Sequence, residues 1–238
     1  MADPLKLSIK IFADCADIER VSEMAVNPIV RGFTTNPTLM RQSGVTDYQA
    51  FAKLMLEKVG GRSISFEVFS DEFQEMERQA HVIAEWGTNV LVKIPVTNTK
   101  GESTAGLVQR LSADQVKVNV TAIMTLEQVE EVCGVLGESR GAVISVFAGR
   151  IADTGRDPVP LMAAAIDIIR PFPNVELLWA SPREVLNVAQ ADQIGCDIIT
   201  VTYDLLRKLE FFGRDLTGFS LDTVRMFHDD AKAADLRL

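Results

Sequence analysis

The stretch Asn89–Thr97, NVLVKIPVT, places one lysine inside an otherwise apolar, β-branched run. A charged amine in such a run stands at a strand end, faces a cavity, or is costly to bury. Strand side chains alternate in direction, so Leu91, Lys93 and Pro95 share one face and Val90, Val92 and Ile94 share the other. If the second set packs outward under helices, Lys93 points inward. An amine in a confined site loses hydration, which favours its neutral form. A neutral amine adds to a ketone to form a Schiff base, and the iminium is an electron sink for carbon–carbon cleavage. That chemistry needs groups that carry protons. Asp14 ends the first β-rich run and Glu67 lies in the third, so two acidic groups are available, and Thr121 is placed to hold a water between them.

Other polar residues fall at the ends of comparable runs. The second run ends in TTNP, Thr34–Pro37, which brings Thr35 and Asn36. Asn119 and Thr121 are two apart on one face of the fifth run, and Ser145 and Phe147 on one face of the sixth. Arg150 follows the sixth, Ser181 and Arg183 end the seventh, and the eighth carries Thr200, Thr202 and Tyr203. Arginine is a forked donor suited to phosphate. Two arginines at one rim of a chain with net charge −9 suggest a phosphorylated small substrate.

The elements that must position these residues alternate. Eight short apolar runs are visible: LKLSIKIFAD, VRGFTTNP, RSISFEVF, NVLVKIPVT, VKVNVTAIM, GAVISVFAGRI, VELLWASPR and CDIITVTYD. Between them lie stripes with helical spacing: Tyr48, Phe51, Met55 and Val59; Phe73, Met76, Ala80 and Ile83; Leu126, Val129, Cys133 and Leu136. Thr125 with Gln128 reads as a capping box. Ser181 with Glu184 reads as another, with Pro182 at the first helical position and Gly195 at the stop. This alternation predicts an α/β fold, a (βα)8 TIM barrel in one domain over residues 1–238. A doubly wound open sheet is the competitor, but no glycine-rich phosphate loop follows the first strand. In the barrel, the active site lies at the C-terminal ends of the strands, where all the residues named above fall. The last stretch, LTGFSLDTVRMFHDDAKAADLRL, predicts an extra C-terminal helix, about 219–238, with Leu221, Val224, Phe227 and Ala231 on one stripe.

Composition narrows the function classes. A net charge of −9 argues against nucleic-acid binding and against docking on anionic membrane lipid. Cys15, Cys133 and Cys196 are odd in number and widely spaced, with no disulfide or zinc pattern, which fits a reducing cytoplasm. The start MADPLKLSIKIF has no signal-peptide pattern, and no apolar run approaches transmembrane length. With two histidines, His81 and His228, a metal site is a poor fit, and no cofactor is expected.

FADCADI, GFTTNPTLM, SFEVF, VLVKIPVT, VNVTAIMT, ISVFAGRI and WASPREV together resemble the transaldolase family, in its order and over nearly the whole chain. The TTNP motif and the KIP lysine carry most of the specificity. The resemblance implies a metal-free barrel enzyme with Lys93 as the Schiff-base lysine, Asp14 as the acid/base of carbon–carbon cleavage, and Glu67 with Thr121 holding the catalytic water. It implies that Asn36, with Thr35 of the same motif, Asn119 and Ser145 hold a dihydroxyacetone unit, and that Arg150, Ser181 and Arg183 hold phosphate. It further implies a cytoplasmic homo-oligomer, a pentamer or decamer, built through the C-terminal segment.

One branch of the family transfers the three-carbon unit to an aldose phosphate. The other, the fructose-6-phosphate aldolases, releases it and usually carries tyrosine and glutamine where this chain has Phe147 and Glu67, so transfer is expected here. Two departures bear on the sugar. Pro182 stands where an aromatic residue is often found, and the polar loop in PVTNTKGES is longer than usual and is expected beside the acceptor site. A specialised transaldolase for a sulfonated or long-chain sugar stays open. So do plainer roles: Asp14 as a helix cap, Asn36 as turn chemistry, Glu67 as a structural partner of Lys93, the arginines as surface charges, and a barrel that binds sugar phosphate without turnover.

Overall fold

The computed structural model describes residues 7–137 and 141–237. The strands are β1 (Lys10–Asp14), β2 (Val30–Thr34), β3 (Ser63–Glu67), β4 (Val90–Pro95), β5 (Val118–Ile123), β6 (Ala142–Val146), β7 (Val175–Trp179) and β8 (Ile198–Thr202). The helices are α1 (Ile18–Ala25), α2 (Pro37–Gln42), α3 (Tyr48–Val59), α4 (Phe73–Ala84), α5 (Ala105–Ala113), α6 (Leu126–Leu136), α7 (Ala148–Asp153), α8 (Val159–Ile169), α9 (Leu186–Gln193), α10 (Tyr203–Lys208) and α11 (Leu216–Ala233). The strands run parallel in chain order, and β8 pairs with β1, so the sheet closes into the expected (βα)8 barrel.

The alternation of side chains builds two compartments. Outward residues such as Val92, Ile94, Val120 and Ile144 are fully buried against the surrounding helices, in one core with Phe33, Phe66 and Trp179. Burying side chains of that size contributes roughly 1.5–3 kcal/mol each. Inward residues form a second, smaller cluster of Phe12, Val143, Leu178, Ala180 and Ile198, with Leu91 against it. Phe12 fills the space that Gly32 leaves open: a Cβ at Gly32 would lie 2.5 Å from the Phe12 ring.

Several helix starts follow the capping chemistry of their sequences. The Thr125–Gln128 box is formed in both directions. Asp17 caps α1, accepting from the amides of Glu19 and Arg20, so the cap role considered for Asp14 belongs to Asp17. The Ser181–Glu184 box does not form. Ser181 has φ +60°, and α9 begins at Leu186; the Asn187 side chain instead accepts from the amides of Arg183 and Glu184. The C-terminal helix starts slightly earlier than expected, at Leu216, and Leu238 lies outside the described residues. None of its side chains is buried, and Leu216, Val224 and Phe227 are each at least 60% exposed.

The polar loop after β4 folds back on itself through a bridge between Thr97 and Ser103. Thr99 donates its amide and hydroxyl to Asp71, both at 2.7 Å, which ties the loop to the segment after β3. None of its residues lines the cavity at the strand ends. The three cysteines are buried, and burial pushes the Cys133 thiol up to about 11 and the Cys196 thiol up to about 12. Among the described residues no helix is long and apolar enough to cross a membrane.

Candidate active site

A cavity of about 410 Å³ opens at the C-terminal ends of the strands. Its floor is the layer of side chains two residues above the apolar cluster. Register alignment puts Glu67 beside Lys93, Lys93 beside Asn119, and Pro95 beside Thr121. The sites expected at Asp14, Asn36, Glu67, Lys93, Asn119, Thr121, Ser145, Phe147, Arg150, Ser181 and Arg183 all line this cavity.

Lys93 is 6% exposed. Its amine donates to the Thr35 carbonyl at 3.0 Å and lies 3.1 Å from a Glu67 oxygen. Thr35, expected among the substrate-binding residues, is not among those that line the cavity. Its side chain is fully buried and its hydroxyl donates to the Ser65 carbonyl, so Thr35 meets the site through its backbone and not through its hydroxyl.

Asp14 accepts from the Thr34 hydroxyl at 2.8 Å and from the Asn36 amide at 3.3 Å. Desolvation in the barrel mouth raises its pKa above the ordinary 3.8, while Lys93, Thr34 and Asn36 pull against that rise. A carboxyl poised this way suits a group that must both take and give a proton. Asn36 combines two roles, because its side-chain oxygen also caps α2 by accepting from the Leu39 amide. Its turn chemistry therefore fixes the amide that meets Asp14.

On the far side, Ser145 donates to the Asn119 oxygen at 2.7 Å, and the Asn119 amide donates to the Ser65 hydroxyl at 3.1 Å. The Thr121 hydroxyl is buried with no hydrogen-bond partner, so it is free to bond a bound molecule. An irregularity in β5 adjoins it. Ala122 adopts φ +63°, a conformation unusual for a residue with a Cβ, where the register with β6 shifts.

The arginine-bearing end of the cavity is built by α7 and the segment after β7. A Cβ at Gly149 would sit 1.5 Å from the Ser181 carbonyl oxygen, so only glycine permits this approach. The contact accompanies the left-handed backbone of Ser181 and explains why Ser181 cannot also act as an extended cap residue. Arg183 is forked onto Asp153, with one bond of 3.0 Å. The Arg150 guanidinium lies 5.3 Å from the Phe147 ring centre and has no carboxylate partner among the described residues. It is the cation most available to an incoming anion.

Several residues in the cavity or bonded to its lining were given no role from sequence. Thr34 and Thr200, whose hydroxyls are 2.6 Å apart, were visible as polar strand-end residues. Ser65 stands two before Glu67, so strict alternation would have placed it inward. Gln42, at the end of α2, carried no such signal. Among the described residues no group of three or more His, Cys, Asp or Glu could hold a metal ion.

The family described as Transaldolase/Fructose-6-phosphate aldolase matches residues 11–237. A protein named probable transaldolase from Dehalococcoides mccartyi is 32% identical over 203 residues, covering 84% of this chain and 90% of the relative. One of the same name from Streptococcus equi subsp. zooepidemicus is 35% identical with the same coverage. One from Methanococcus vannielii is 30% identical over 90% of this chain and 94% of the relative. Among solved structures, a dihydrodipicolinate synthase from Rhodopseudomonas palustris superposes with a TM-score of 0.59 at 12% identity, over 94% of this chain and 79% of that one. That likeness concerns the barrel alone. The match over nearly all of the chain, together with the relatives' identities, shows that the chain belongs to the transaldolase/fructose-6-phosphate aldolase family.

Proposed function

We propose that this protein is a transaldolase that moves a dihydroxyacetone unit from a ketose phosphate to an aldose phosphate through a Schiff base on Lys93. One observation carries the reading: a buried lysine amine, 3.1 Å from Glu67, opens into a cavity that holds Asp14 on one side and Arg150 and Arg183 on another.

The residues divide the work. Arg150, Ser181 and Arg183 hold the phosphate and so set the sugar's direction. The Lys93 amine adds to the ketone carbon, and Glu67, with a water held by Thr121, moves the protons that turn the carbinolamine into the iminium and water. Asp14 takes the proton of the C4 hydroxyl. The C3–C4 bond then breaks, its electron pair moves into the iminium as an enamine, and an aldose phosphate leaves. Asn36, Asn119 and Ser145 hold the enamine's hydroxyls until a second aldehyde accepts the new bond and Asp14 returns its proton. Hydrolysis of the iminium frees the amine. Transfer is favoured over release because Phe147 has no phenolic hydroxyl with which to position a water for early hydrolysis.

Reduction with borohydride in the presence of fructose 6-phosphate tests this. A three-carbon adduct mapped to Lys93 is the expected result, and sedoheptulose 7-phosphate should give the same one. Dihydroxyacetone released without acceptor, as fast as transfer, would move the reading to the aldolase. No adduct with either donor or with sulfonated and longer ketoses would count against Schiff-base chemistry altogether.

The reading includes self-association, in the cytoplasm, as a homo-oligomer. Its support is α11, an 18-residue helix with no buried side chain. Isolated helices of that length are marginal in water, and its apolar side chains need a partner surface. Light scattering should give a mass several times the 26.2 kDa of one chain, and loss of residues 215–238 should lower it.

A further inference from the structure

We infer that Tyr48 is a positioning residue for Glu67, its phenol standing in for a missing stretch of strand. β2 leaves the sheet after Thr34, and the Thr35 amide makes the last backbone bond to β3, donating to the Ser65 carbonyl at 3.2 Å. Pro37 then opens α2 and carries the chain away. Backbone groups of alternate residues face the same neighbour, so the N–H and C=O of Glu67 face the gap that β2 has left. Their counterparts at Val68 face β4, where its amide donates to the Lys93 carbonyl. The Tyr48 hydroxyl fills the gap with both of its capacities. It accepts from the Glu67 amide at 2.8 Å and donates to the Glu67 carbonyl at 3.0 Å.

The phenol is itself fixed. Tyr48 is the first residue of α3, and Asp47 caps that helix by accepting from the Ala50 amide. The ring packs edge-on against Trp86 at 5.2 Å and Phe66 at 6.1 Å, and lies 5.9 Å from Phe69. Burial raises the phenol's pKa, so it keeps the proton that it donates. The carboxylate that meets Lys93 is thus held at its backbone by a side chain from the neighbouring helix. Strand-end side chains are aimed by φ and ψ, and an untethered end lets the carboxylate drift from the amine.

Glu67 acting on Lys93 rests on the reading above, so the test separates the two. Tyr48→Phe keeps the ring and removes both bonds. Exchange of the Glu67 amide should accelerate about tenfold or more, with the other strands unchanged. In the unmodified background, kcat and the rate of borohydride trapping should fall about tenfold or more, with KM within about twofold. In a Glu67→Gln background the same change should cost almost nothing further, whereas a merely structural role would lower the rate equally in both. Unchanged exchange overturns the inference, and so does faster exchange with unchanged turnover. If the unmodified protein gives no adduct with any ketose, the Schiff-base reading fails by itself. Tyr48 is then decided by exchange and by a crystal structure of Tyr48→Phe, where an unmoved Glu67 carboxylate overturns the inference.

Discussion

Phe12, Leu91, Val143 and Ile198 lie on their strands two residues before Asp14, Lys93, Ser145 and Thr200. Both levels face the inside of one barrel and both are largely buried, yet one is a plug of hydrocarbon and the other a set of amines, carboxyls and hydroxyls. The lower level is a packed apolar layer that also floors an opening of about 400 Å³ at the other end of the barrel. The upper level is affordable because nearly every polar group there has a partner: Lys93 with Glu67, Asp14 with Thr34, Asn119 with Ser145. Stability and chemistry are separated by one strand repeat, so they should respond separately to mutation.

The largest effect expected is at the upper level. Lys93→Ala should lower transfer by about 10⁴-fold or more while the protein stays folded, read by turnover and circular dichroism. Activity within tenfold of the unmodified protein would break the separation at its centre. Phe12→Ala at the lower level should do the reverse. It should cost ~3–5 kcal/mol in denaturant unfolding, because Gly32 opposite offers nothing to fill the hole, with turnover of the folded fraction little changed. Arg150→Ala should raise KM for phosphorylated ketoses about tenfold to thirtyfold and leave kcat nearly alone, since it removes a binding charge and no proton carrier.

The smallest effect sharpens the comparison most. The Asp14 carboxyl is raised by desolvation, so in the folded protein its charged form is disfavoured relative to the unfolded chain. Any stability the group contributes is fully present below the unfolded value of 3.8 and is lost as pH rises through the folded value. Asp14→Asn should therefore slightly raise the unfolding midpoint at neutral pH. That gain should shrink as pH falls toward 3.8, in thermal melts at a series of pH values. A lower midpoint at neutral pH would mean that Asp14 holds the upper level together as well as serving its chemistry.

The barrel was legible because parallel strands covered on both faces show as apolar runs, and because Thr125 and Gln128 mark a helix start by local chemistry alone. Lys93 was legible because it breaks such a run. Ser181 was misread because its backbone answers to Gly149 across space, which no local pattern encodes. Thr35 was assigned by its motif, but whether its hydroxyl or its carbonyl meets the site depends on strand pairing with Ser65. Tyr48 lay on a helical stripe and read as core. Its ring is core, and its hydroxyl finds Glu67 only when α3 packs beside the end of β3.

The buried thiols have a practical side. Cys15, Cys133 and Cys196 are all enclosed, and burial pushes each thiol upward from its ordinary value. Thiolate is the species that reacts with maleimides and disulfide reagents. The unaltered chain should therefore be almost silent to such labels while folded. A single cysteine introduced on an exposed surface then becomes the one fast-reacting handle, and dyes or spin labels can be attached there without first stripping the native cysteines from the core.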